Sequence, residues 1–183
     1  MPVFLRNVFL LLGFLSVTYA GFAQGIKVNS QEEYNFYDYF LKYQDVEFSE
    51  PAAAKVYADS CLYWARKTKK DQYIGMAFQV KGWYEESKSN FNSALDYFYK
   101  SLSYMKKANH EQGIGDAYGN LGNAYYSLGD LTKCLEMQLL ALEFYEKILE
   151  KKPTGKKKQE ALEGRSIMIH NTGDLYLEIE LFD

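Results

Sequence analysis

Proline is scarce in this 183-residue chain: Pro2, Pro51 and Pro153 are the only three. Long proline-free stretches leave room for long helices, because proline removes a backbone donor and breaks a helix interior. Cysteine is scarcer still, with Cys61 and Cys134 alone. Two cysteines are too few for a disulfide framework, and both are expected as unbridged core thiols. Two histidines, His110 and His170, stand sixty residues apart with no second ligand group at metal spacing. No glycine-rich phosphate loop follows a strand pattern, and Gly113-Ile114-Gly115 reads as a glycine pair at a helix start. No Ser-His-Asp or Cys-His arrangement can be argued. The expectation is therefore no enzyme within these residues: no catalytic group, no metal and no cofactor. Basic excess is missing too. The net charge of −3 lacks the basic face that nucleic-acid binding requires.

A membrane span needs about 20 apolar residues. The apolar run from Val8 to Val17 falls short of that. It follows Arg6 and precedes the small residues of Tyr19-Ala20-Gly21-Phe22-Ala23. That order resembles a secretory signal peptide over residues 1–23, cut after Ala23 or after Ala20. Its removal leaves 20 basic against 24 acidic residues. Residues 24–30 read as a short linker, and the chain is expected on the periplasmic or extracellular side.

What is abundant is aromatic and periodic: 17 tyrosines and 12 phenylalanines recur at helical spacing. A repeat of forty residues underlies the pattern. Gly82 is followed by Ala94 and Ser101, and Gly122 at the same intervals by Cys134 and Ala141. Stepping back by forty gives Ala54 and Cys61, again small, although Lys42 stands where the glycine would be. Stepping forward, Ile169–Tyr176 echoes Tyr118–Tyr125 after 51 residues, which places Gly173 in register with Gly122 and implies an insertion of about eleven. Glycine inside a helix costs about 1 kcal/mol against alanine. Its recurrence in register predicts close helix crossings at Gly82, Gly122 and Gly173. Turn chemistry agrees. Gly129 suits a left-handed helix end, Asp130 and Asn90 suit helix caps, and Pro51 suits a first turn. Helices are expected over 31–47, 51–68, 71–87, 90–108, 112–128, 131–150 and 159–179. A lysine-rich loop, 151–158, is read as a solvated connector.

These residues resemble the tetratricopeptide repeat. The resemblance covers about residues 31–183 and is densest over 76–146. It implies an all-α, right-handed superhelical solenoid of antiparallel helix pairs. About three and a half repeats fall at 31–70, 71–110, 111–150 and an incomplete 159–183. It also implies a concave groove lined by the first helix of each pair. That places Met76, Gln79 and Trp83, then Asp116, Gly119, Asn120, Asn123 and Tyr126, then His170, Asn171, Asp174 and Leu177 along a protein- or peptide-binding surface. Some members hold a terminal carboxylate with paired Lys and Asn. Of the positions required here, Gly119, His170, Asn123 and Asp174, only Asn123 fits, so that mode is disfavoured. Ile167, Ile169, Leu175, Tyr176 and Ile179 are expected to show an unclosed apolar face. The chain therefore reads as the front of a longer one, tethered to a membrane through a downstream segment, or as an end that self-associates. Exported repeats of this kind resemble the sensory front of bacterial membrane-bound signalling proteins such as sensor kinases. The alternatives are a free-standing periplasmic or surface scaffold, and a repeat region steering a downstream enzyme.

Overall fold

The computed structural model describes residues 28–182, and side chains as far as Tyr176. The predicted signal segment, and Leu177 and Ile179 as side chains, lie outside the described residues. Among these residues there are seven helices and no strand: α1 (Gln31–Val46), α2 (Pro51–Thr68), α3 (Asp71–Ser87), α4 (Phe91–Lys107), α5 (Glu111–Ser127), α6 (Leu131–Glu150) and α7 (Gly155–Phe182). Each expected helix is present. The last begins at Gly155 rather than 159, so Lys156, Lys157 and Lys158 belong to its first turn and the connector shrinks to residues 151–154. No helix among the described residues is long and apolar enough to cross a membrane.

The chain divides into two compact units, the first ending at Thr68 and the second beginning at Lys69. In the first, α1 packs on α2. Ser30 accepts a hydrogen bond from the Glu33 backbone N–H (3.3 Å), and the Glu33 carboxylate reaches back to the Asn29 N–H (2.9 Å). This reciprocal arrangement satisfies donors at the helix start. Helix α1 buries Phe36 and Tyr43, while α2 buries a strip of Ala54, Ala58, Cys61 and Ala65. Large side chains from one helix and small ones from the other fill the space between them.

In the second unit each helix packs on the next, and α5 also touches α3 and α7. Within this unit the chain turns between helices through left-handed residues twenty apart, Ser89, Asn109 and Gly129, and its first residue, Lys69, is left-handed as well. Only Gly129 among these is a glycine. Asp130 caps α6 by accepting from the Lys133 N–H (3.0 Å). Asn90 occupies the cap position of α4 but does not cap it. Its side chain instead donates to Glu85 (2.8 Å). His110 caps α5 through Nδ1, which accepts from the Gly113 N–H (2.9 Å). The small residues in register, Ala94, Ser101, Cys134 and Ala141, are all fully buried.

Two of the three predicted close approaches exist. A Cβ on Gly82 would lie 2.2 Å from the Phe98 ring, and one on Gly122 would lie 2.8 Å from Gln138 Cγ. Gly173 is a correction: it is exposed, with nothing within 4 Å of its missing Cβ. The partners of Gly82 and Gly122 come from the next helix in the chain, and none follows α7 among the described residues. The close approach on α7 is at Gly164, whose Cβ would meet the Tyr145 ring at 2.4 Å.

Gly164 belongs to a second repeated arrangement. The Met105 thioether sits against Gly75 and Gly113, where an added Cβ would meet it at 3.1 Å and 2.4 Å. Forty residues on, the Tyr145 ring sits against Gly115, at 3.1 Å by the same measure, and against Gly164. In each case one long side chain from a second helix fills the space two glycines vacate on the helices flanking it.

Candidate functional site

A cleft of about 270 Å³ opens between α5, α6 and α7. Helix α5 contributes Asn123 and Tyr126, α6 contributes Gln138, and α7 contributes Asn171, Asp174 and Leu175. Asn123 and Tyr126 are three apart on one helix, as are Asn171 and Asp174, so each pair shares a face. Leu175 and Gln138 are buried, while Asn123, Tyr126 and Asp174 are open to solvent.

Gln138 reaches the cleft because Gly122 has no side chain, and a methyl there would strike its Cγ. The Gln138 carboxamide is 4% exposed and its Oε1 has no hydrogen-bond partner among the protein atoms. A buried, unsatisfied acceptor costs about 1–3 kcal/mol. Gln138 is thus a cleft-lining residue with one polar atom that the folded chain leaves without a partner. Among the described residues Asp174 is the only charged group in the lining. It also faces His170 across one helical turn (3.3 Å), an exposed pair whose attraction is weak in water.

Of the twelve residues expected along the groove, Gly119 offers no side chain and the Leu177 side chain lies outside the described residues; the other ten separate into two sets. Asn123, Tyr126, Asn171 and Asp174 come together in the cleft, with His170 beside Asp174. Met76, Gln79, Trp83, Asp116 and Asn120 lie outside the cleft. Met76 packs against the core cluster around Phe98 and Leu121. Trp83 on α3 donates to Asn120 Oδ1 on α5 (3.2 Å). Gln79 is buried with Nε2 unpartnered, and the Asn120 Nδ2 is likewise unpartnered. Asp116 accepts from the Tyr145 hydroxyl (2.7 Å) and from Gln112 (3.1 Å). Burial raises the Asp116 carboxyl above the usual carboxylate range, against the opposing pull of those two bonds. Burial also raises the Tyr145 phenol, aided by the adjacent carboxylate.

Gln138 and Leu175 line the cleft without having been singled out as groove residues. Leu175 was legible as an apolar residue of α7. Gln138 carried a different signal: it stands forty residues after Phe98, a carboxamide in the register position of a core aromatic.

No group of three His, Cys, Asp or Glu among the described residues could hold a metal ion. Cys61 and Cys134 are buried thiols outside any disulfide, and burial pushes the Cys61 thiol up to about 12, far from a reactive thiolate. Neither a family model nor a curated protein matches the chain.

Proposed function

We propose that the chain is an exported, tetratricopeptide-like interaction module that binds a peptide or an extended segment of a protein partner in the α5–α7 cleft. The observation that carries this reading is the convergence of Asn123, Tyr126, Asn171 and Asp174 around the unpartnered Gln138 carboxamide. Carboxamides both donate and accept, as the backbone of an extended peptide does. Tyr126 adds rigid apolar area with a polar tip. The forty-residue register and the contacts α3 to α5 and α5 to α7 support a solenoid of helix pairs. The composition of residues 1–23 supports export. A sensory role at the front of a signalling protein rests on resemblance, and the reading of these residues as non-enzymatic rests on the lack of a catalytic motif in the sequence.

The test is selection of a random heptapeptide library on the immobilised full chain, followed by Asn123→Ala/Tyr126→Ala. Enriched peptides should lose about tenfold or more in affinity, roughly 1.4 kcal/mol, with helicity unchanged. Equal affinity for the variant would remove the cleft from the account. Export is tested separately by the amino-terminal sequence of secreted protein, expected to begin at Gln24 or Gly21.

A further inference from the structure

We infer that the cleft takes a protonated primary amine, an alkylammonium group carried by its peptide ligand. The inference rests on the cleft being a peptide site and adds the chemistry that the site selects. At about 270 Å³ the space is smaller than the roughly 300–1,000 Å³ of a pocket for a whole small molecule. It suits one side chain or one chain terminus. The carboxamides of Asn123 and Asn171 can turn either end to a ligand and do not choose a sign. Asp174 does. Among the described residues it is the sole charged lining group, and no described lysine or arginine lines the space. Tyr126 presents a half-exposed ring at the same rim, and an aromatic face attracts a cation. Beneath them Gln138 Oε1 is a desolvated acceptor without a partner among the protein atoms. An ammonium group brings three donors and no acceptor, which answers an acceptor, a carboxylate and a ring together. The apolar stem below it meets Leu175. Among the described residues His170 pairs with Asp174, and both groups are mostly exposed there.

The same chemistry occurs on a lysine side chain and at a peptide amino terminus, and three probes separate them. They are a capped Ser/Ala heptapeptide with one central lysine, the same peptide with norleucine, and the norleucine peptide with a free amino terminus. Each is titrated into the isotope-labelled full chain to about 10 mM, enough to register millimolar binding. The side-chain amide signals of Asn123, Gln138 and Asn171 are followed throughout. The lysine or the free-terminus peptide should move these signals with at least about tenfold higher affinity than capped norleucine. Asp174→Asn, an exposed isosteric change, should erase that preference with the fold intact, since charge-assisted bonds are the strong ones. Capped norleucine binding equally well, or an unchanged preference in Asp174→Asn, would overturn the ammonium assignment while leaving the peptide site standing. Cleft signals that move for library-selected peptides but for neither amine probe would do the same. If no peptide of any kind moves them, both readings fall.

Discussion

The layer between α3 and α5 and the layer between α5 and α7 are built on one register and end differently. In the first, Trp83 bonds Asn120, and the Phe98 ring lies over Gly82 and is fully buried. Forty residues on, Trp83 becomes Asn123 and Phe98 becomes Gln138, while Gly122 keeps the place of Gly82. The backbone approach is retained and the bulk is removed. Helices still pack, because Tyr145 fills the space between Gly115 and Gly164 as Met105 fills that between Gly75 and Gly113. What remains is the cleft. A repeat can thus acquire a polar cavity by losing two aromatic side chains without changing its frame.

The comparison breaks most sharply at the glycines. Gly82→Leu should cost about 3 kcal/mol or more through overpacking against Phe98, whereas Gly173→Ala, in open space, should gain up to about 1 kcal/mol of helix propensity. Thermal or denaturant melts of the two variants decide it, and equal effects would mean that the register does not locate the crossings. A step smaller is the interaction between Gly164 and Tyr145. Gly164→Ala should be clearly destabilising alone and far less so beside Tyr145→Ala, with a coupling of about 1–2 kcal/mol in a double-mutant cycle. The two filled spaces differ in chemistry, since Tyr145 bonds Asp116 where Met105 has Met76 in register. Because burial raises Asp116 in the folded state, the folded chain holds a proton that the unfolded chain releases between the ordinary carboxylate range and the raised value. That contribution is present below the ordinary range and is lost as pH rises through the raised value. Asp116→Asn should therefore flatten this slope in stability-versus-pH curves. The smallest effect is at a turn. Ser89 holds a left-handed backbone (φ 60°) that Gly129 holds at the equivalent position. Ser89→Gly should raise stability by up to about 1 kcal/mol, measured by denaturant midpoint.

Much of the frame was legible because it rests on local chemistry. Helix lengths followed from the spacing of apolar residues, and the starts of α2 and α6 from Pro51 and Asp130. Ala94, Ser101, Cys134 and Ala141 reach the core as their register required. Three things were not legible. The close approach on α7 moved from Gly173 to Gly164, because a glycine in register crosses nothing unless a following helix lies over it. Asn90 gave up capping for Glu85, a choice between two acceptable hydrogen bonds that sequence does not rank. And the groove residues did not act as one surface: Trp83, Asn120 and Asp116 spend their polar groups between helices, while Asn123 and Asn171, chemically the same, face open space. That distinction depends on what stands opposite, Tyr145 for Asp116 and Trp83 for Asn120. The capping signal at Ser30-Gln31-Glu32-Glu33, by contrast, was there to be read.

The most direct measurement restores the lost bulk. In Asn123→Trp/Gln138→Phe, the new ring should lie over Gly122 as Phe98 lies over Gly82, so the variant should melt at or above the native temperature. Isothermal titration with a library-selected peptide should then show binding abolished. A folded double variant that binds the peptide as the native chain does would contradict the account, because the cleft would not be the site.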